Sequence, residues 1–233
     1  MLFFTPYDFL LIPGLLFAMW AQYKVSSAYR KYSQVGTRAG LTGAQVAEMI
    51  LRDAEVRVGG GGRAVSGIEA IAGQMTDHYD PSARALRLSQ DVYHGQSIAA
   101  LGIAAHEVGH AIQHANRYAP LLLRGYIYPA CSFGEFLSFP LLFGGLFMGM
   151  PALVTAGILL FTIAVAFTII TLPVEFDASR RAILALERGG YMTQDELAGA
   201  RKVLNAAALT YVAAAVSAIL SLVRLLLISR NSD

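Results

Sequence analysis

Four long apolar segments constrain the fold of this 233-residue chain more than any other feature of its sequence. A helix needs about 20 mostly apolar residues to cross a bilayer core. Only 15% of the residues are charged, whereas soluble domains carry about 25%. We therefore expect a mainly α membrane protein with about four transmembrane helices. The segments cover approximately residues 7–23, 128–150, 152–173 and 205–228.

The positions of Lys and Arg predict how these segments are oriented. The first segment is followed by a basic stretch from Lys24 to Arg38, and no Lys or Arg precedes it. The second and third segments form a hairpin with a short uncharged turn, after which come Arg180 and Arg181. Because positively charged loops stay in the cytoplasm, both polar parts of the chain are predicted to lie there. Arg230 fits this orientation poorly, because it would lie outside.

The polar parts between the segments are predicted to form a small α+β cytoplasmic domain. The first segment lacks the basic start and the cleavage site of a signal peptide, so we interpret it as a retained anchor. The predicted division is an anchor (1–23), a first cytoplasmic part (24–127), a transmembrane hairpin (128–174), a second cytoplasmic segment (175–204) and a C-terminal transmembrane helix (205–233).

Local signals predict the elements of the cytoplasmic domain. Capping boxes, in which a Thr and an acid or amide three residues later cap a helix start, mark helix beginnings. Alternation of apolar and polar residues indicates short strands. The expected elements are helices starting at Thr42 and Thr193, strands near Ile68–Ala72 and Ala85–Ser89, a turn at Asp80–Pro81, a glycine turn at Gly59–Gly62 and a helix from Ser97 to His114.

The motif His106-Glu107-Val108-Gly109-His110 carries the predicted chemistry. Residues four apart lie on one face of a helix, so both imidazoles can bind one ion at about 2 Å. Glu107 can then act on a water molecule without being a ligand. This HExxH arrangement is typical of zinc peptidases, with His106 and His110 as ligands and Glu107 as the base.

A catalytic zinc usually has three protein ligands and one open position. His114 cannot be the third ligand, because it lies about 12 Å along the helix from His106. Carboxylates are the remaining candidates. Glu175 stands apart from the others because it directly follows the third apolar segment, on the predicted cytoplasmic side.

Four stretches of the chain carry a resemblance to a known family: Thr76–Pro81, Leu86–Ser89, Ala104–Gln113 and Pro173–Ser179. In these stretches, and over nearly its whole length, the chain resembles the neutral zinc metallopeptidases of the YugP type. It is more distantly similar to HtpX and CAAX-type membrane peptidases, whose gluzincin-like site binds one catalytic Zn²⁺. This resemblance implies a zincin-like domain and the zinc ligands His106, His110 and Glu175.

One position departs from the pattern of the distant relatives. Ser179 stands where those peptidases have an Asp that follows the third ligand. If a carboxylate orients a zinc-bound imidazole in this chain, Asp177 is the candidate.

The predicted reaction is hydrolysis of a peptide bond by a zinc-activated water, with Glu107 moving the proton. A second group that stabilises the oxyanion is expected shortly before the motif helix, where the candidates are His78, Tyr79, Tyr93 and His94, with His78 favoured. The alternative role of these side chains is hydrogen bonding in turns and at the surface. We also expect the strand at Ala85–Ser89 to pair with an extended substrate. Substrates would be proteins or peptides, including membrane proteins, and the bilayer is itself a partner. A net charge of +2 with dispersed basic residues argues against nucleic acid.

Two other interpretations remain open at this point. An intramembrane protease would place the motif helix inside the bilayer, but the apolar run Ile98–Ala105 is too short for that. A noncatalytic membrane scaffold with a structural metal site is the alternative from a different class. Glu135, within the second apolar segment, is either a functional carboxylate or an interfacial one.

Overall fold

The computed structural model describes residues 5–56 and 65–230, so the glycine turn predicted at Gly59–Gly62 lies outside the described residues. The fold is mostly helical with a small sheet. After a 3-10 turn at Pro6–Leu10, its elements are α1 (Leu11–Ser33), α2 (Gly43–Asp53), β1 (Gly67–Ile71), β2 (His78–Asp80), β3 (Ala85–Ser89), α3 (Gln90–Tyr93), α4 (Ile98–Ala115), α5 (Ala119–Met148), α6 (Pro151–Arg188) and α7 (Gln194–Arg230).

Within the described residues, four helices are long and apolar enough to cross a membrane: α1 with its preceding turn, α5, α6 and α7. All four extend beyond the apolar segments that predicted them. The predicted end of the third segment at Pro173 is not a helix end, because α6 continues to Arg188. A proline removes one backbone hydrogen bond, and in this long helix the remaining bonds keep the chain helical past it.

The described chain divides into two units. The helical unit comprises the segments up to Gln22, Leu122–Pro173 and from Leu209 onward. Within it, the Ser217 hydroxyl donates a 3.2 Å hydrogen bond to the Gly14 carbonyl oxygen. Asp8 and Arg224 form an ion pair, so the only carboxylate of the 3-10 turn is compensated.

The sheet unit comprises Tyr23–Leu121 and Val174–Ala208. Its core is a cluster of buried side chains from α2, β3, α4, α6 and α7. The helix starts predicted by the two capping boxes are confirmed: the Thr42 side chain accepts from Gln45 N, and Glu196 Oε2 accepts from Thr193 N. Fully buried members of the core include Val46, Leu51, Leu86, Leu101, Val108, Leu186 and Leu197.

In the described part of the chain the strands form a sheet in the order β1-β3-β2, with β1 parallel and β2 antiparallel to β3. The strands near Ile68–Ala72 and at Ala85–Ser89 are confirmed, whereas β2 was not predicted. The expectation that β3 pairs with an extended substrate is wrong. Both edges of β3 are already hydrogen-bonded, because Leu86 pairs with Ile68 on one side and with Tyr79 on the other.

The helix predicted from Ser97 to His114 is α4, and it packs very closely against α6. Ser97 caps it by accepting a hydrogen bond from Ala100 N at 3.2 Å. At Gly109 the backbones approach so closely that an added Cβ would lie 2.5 Å from the Ala178 carbonyl oxygen. Only glycine fits at this crossing, which sets how near the residues of α6 come to the HExxH face of α4.

Replacing Gly109 by alanine is expected to destabilise the sheet unit. The clash with the Ala178 backbone should cost about 1–3 kcal/mol, as overpacking does, and should outweigh the helix-propensity gain of about 1 kcal/mol. Gly102→Ala is the matched control on α4, because its Cβ would make ordinary contacts with Ala200, at 3.4 Å from the methyl carbon and 3.7 Å from the Cα. Thermal unfolding in detergent should show a lower midpoint for Gly109→Ala than for Gly102→Ala. Equal midpoints would contradict the close crossing.

Candidate metal centre

His106 and His110 project from the same face of α4. They are four residues apart on the helix, a spacing that places side chains one above the other. Their ring centroids are 4.8 Å apart and the rings are nearly perpendicular. The two Nε2 atoms therefore lie on the same side of the helix, as two ligands of one ion require.

Glu175 of α6 lies directly opposite these two rings. Its Oε2 is 3.3 Å from His106 Nε2 and 3.5 Å from His110 Nε2. The carboxylate is 2% exposed, and the candidate ligand atoms of the three residues all lie within 4.8 Å of one another. The structure thus brings together the three residues that the sequence singled out as ligands.

The three residues fit a zinc ion. Ligand atoms held at about 2.0–2.1 Å in a tetrahedron are separated by about 3.3 Å, close to the nitrogen–oxygen distances found between the rings and Glu175. Two imidazoles and one carboxylate are also a donor set of catalytic zinc sites, which leave the fourth position open.

The directions in which the pKa values of Glu175 and His110 are shifted both favour positive charge at this site. Burial raises the pKa of Glu175, but hydrogen bonds from the His106 and His110 rings outweigh it and hold the pKa well below its usual range. Burial lowers the pKa of His110, yet Glu175 and Glu107 reverse this and the net direction is upward. A divalent cation would bind these groups in their deprotonated forms, as metal ligands do.

Glu107 lies beside this group and is held by the sheet. It is 8% exposed, and its Oε2 accepts a 2.9 Å hydrogen bond from the backbone N–H of Tyr79 in β2. The Tyr79 hydroxyl lies 2.8 Å from His114 Nδ1, and burial raises the Tyr79 pKa to about 12. His114, which the sequence excluded as a ligand, therefore helps to fix β2 against α4.

His78 is exposed on β2, next to the residue that contacts Glu107. Its Nδ1 lies 2.8 Å from the Thr76 carbonyl oxygen, so Nδ1 donates and Nε2 is the ring atom that remains for another contact. The predicted role of His78 in stabilising an oxyanion stays a prediction.

The Nδ1 atoms of the two imidazoles contact Gln113 and Ser179, whereas the sequence had suggested the Asp177 carboxylate as the group that orients an imidazole. Asp177 Oδ2 accepts from Gln113 Nε2 at 3.0 Å, and Gln113 Oε1 in turn lies 3.1 Å from His110 Nδ1. Ser179 Oγ lies 3.1 Å from His106 Nδ1. Gln113 was not predicted as a site residue, although its position three residues after His110 places it on the same helix face.

Glu135 is exposed on α5 and belongs to the helical unit. Among the described residues, the group of candidate metal ligands comprises His106, His110 and Glu175 and does not include Glu135. Its two interpretations, as a functional or an interfacial carboxylate, stay predictions.

Comparison with known proteins agrees with the character of this site. The family model described as "Putative neutral zinc metallopeptidase" matches residues 7–230. The chain is 46% identical over 229 residues to "Putative membrane protease YugP" of Bacillus subtilis (strain 168), covering 96% of each chain. No solved structure matches. These matches show that the chain belongs to the family described as "Putative neutral zinc metallopeptidase".

Proposed function

We propose that this protein is a membrane-embedded endopeptidase with one catalytic zinc ion held by His106, His110 and Glu175. The observation that carries the proposal is the convergence of the two Nε2 atoms on the Glu175 carboxylate, with Glu107 fixed beside them by β2. A structural zinc site usually has four protein ligands, whereas a catalytic site has three and keeps a position for water. The donor set therefore favours catalysis over the scaffold alternative.

Bound zinc would supply a Lewis acid that lets a water molecule lose a proton near neutral pH and that polarises the scissile carbonyl. Glu107 accepts that proton and delivers it to the leaving amine, the usual work of a positioned general base. The hydrogen bond from Tyr79 N anchors Oε2 of Glu107, so we assign proton transfer to Oε1. This anchoring holds the base in one orientation before substrate arrives.

His78 is the proposed second electrophile. It lies one residue before Tyr79 on β2 and is exposed, so a bound substrate can reach its ring. Its Nδ1 is engaged by the Thr76 carbonyl oxygen, which leaves Nε2 to contact the developing oxyanion when the ring is protonated. A donor near the oxyanion is the interaction expected to be strongest in the transition state.

We further propose that the sheet unit is a zincin-like domain on the cytoplasmic side of the cell membrane, and that its substrates are proteins or peptides, including membrane proteins. The basic residues from Lys24 to Arg38 and at Arg180 and Arg181 support this orientation. Four helices suited to crossing a membrane, found among the described residues, support a multi-pass protein.

Glu107→Gln is expected to retain one zinc per chain and to lose peptidase activity. The amide can still accept the hydrogen bond from Tyr79 N, but it cannot take up a proton, so kcat should fall about 10²–10⁴-fold. Glu48→Gln, the same change at an exposed position of α2, is the matched control. The measurement is hydrolysis of a quenched fluorescent protein substrate, together with zinc content. A Glu107→Gln protein as active as the Glu48→Gln protein would contradict the role of Glu107. A wild-type protein that binds zinc without cleaving any substrate would favour the scaffold alternative.

The proposed orientation predicts which introduced cysteines react in intact cells. In a Cys131→Ala background, which removes the chain's single cysteine, Lys202→Cys in α7 and Met150→Cys in the turn before α6 are both exposed sites. A membrane-impermeant maleimide should label Met150→Cys in intact cells and Lys202→Cys only after permeabilisation. The reverse pattern would place the sheet unit outside the cytoplasm.

A further inference from the structure

Gln113 is fully buried on α4, and its side-chain amide has a single satisfactory orientation. Its Nε2 lies 2.8 Å from the Val174 carbonyl oxygen and 3.0 Å from Asp177 Oδ2. Both of these partners are acceptors, and an amide nitrogen has two N–H groups to donate. Reversing the amide would place its oxygen against two other oxygens, so the orientation is determined by the contacts.

The acceptor Asp177 is itself held in place. Its carboxylate is 8% exposed and receives charge-assisted hydrogen bonds from Arg180 and Arg181, one at each oxygen. Such bonds to ionised partners are the stronger kind. Asp177 therefore presents Oδ2 to Gln113 as a fixed acceptor.

The orientation of Gln113 determines which nitrogen of His110 carries a hydrogen. Gln113 Oε1 lies 3.1 Å from His110 Nδ1, and an amide oxygen can only accept. Nδ1 of His110 must therefore carry a hydrogen, whether the ring is neutral or charged. The nitrogen left to bind a metal is Nε2, which is the atom that faces Glu175.

His106 has a different partner. Its Nδ1 lies 3.1 Å from Ser179 Oγ, and a hydroxyl group can donate or accept. The contact with Ser179 therefore does not determine which nitrogen of His106 carries a hydrogen. The two imidazoles are supported unequally, one by an amide with a fixed direction and one by a rotatable hydroxyl.

We propose that Gln113 is a positioning residue that keeps His110 Nδ1 protonated and so directs Nε2 to the metal, with Asp177 acting on His110 through Gln113. This inference rests on the proposed zinc site, because it assigns the residue that prepares one of its ligands. Loss of a side chain that hydrogen-bonds to a metal ligand typically lowers metal affinity about 10- to 100-fold.

Gln113→Met tests the proposal, because methionine has a similar length and its thioether sulfur is only a weak acceptor for a ring N–H. The full-length chain in detergent is loaded with zinc, its dissociation constant is measured by chelator competition, and ring N–H signals are recorded with ¹⁵N-labelled histidine. We expect zinc affinity to fall about 10–100-fold and the slowly exchanging His110 Nδ1–H signal to be lost or strongly shifted. Ser179→Ala is the matched control, with a smaller loss of affinity and an unchanged His110 signal.

Asp177→Ala provides a second variant that does not alter the amide itself. It should weaken zinc binding less than Gln113→Met does, since Val174 still holds the amide. In the double variant, zinc affinity should be little lower than in Gln113→Met alone, because both residues act on His110 along one path. The proposal is overturned if Gln113→Met binds zinc within about twofold of wild type, or if Ser179→Ala loses as much zinc affinity as Gln113→Met. It is also overturned if the loss of zinc affinity in the double variant equals the sum of the losses, in free energy, of Gln113→Met and Asp177→Ala. These outcomes are independent of peptidase activity, whereas a wild-type chain that binds no zinc would overturn the proposed function as well.

Discussion

The close approach of α4 and α6 at Gly109 and Ala178 is the contact on which the site depends. His106 and His110 are neighbours through helix geometry alone, but Glu175 reaches them only because the two helix backbones nearly touch. Interiors are packed too densely for such a crossing to adjust freely. A larger residue at 109 would therefore separate the ligands as well as disturb the core.

The site gathers ionisable groups in a buried place, where each would be unfavourable alone. The structure supplies a further polar partner for three of them: Tyr79 N for Glu107, Gln113 for His110 and Ser179 for His106. The fourth group, Glu175, faces the two imidazole rings themselves. Such clusters are often retained because of function rather than stability. In this site the two Nε2 atoms and the Glu175 carboxylate face one common position. An ion-pair network that served stability alone would not require this arrangement.

Much of this arrangement could be predicted from local sequence signals, and the remainder depended on tertiary packing. The HExxH spacing and the cap at Thr42 are local, and both predicted the correct elements. β2 has only three residues, His78–Asp80, too few for an alternating pattern, and its pairing left β3 without a free edge. The link from Asp177 through Gln113 to His110 depends on side-chain directions across two helices, which no spacing rule specifies.

The central claim is that one ion is bound jointly by His106, His110 and Glu175. A structure of the zinc-loaded protein with anomalous diffraction measured on both sides of the zinc absorption edge tests it most directly. The account predicts one strong anomalous peak at about 2.0–2.2 Å from His106 Nε2, His110 Nε2 and a Glu175 carboxylate oxygen. A peak at another site, or zinc bound by the two histidines with Glu175 turned away, would contradict it.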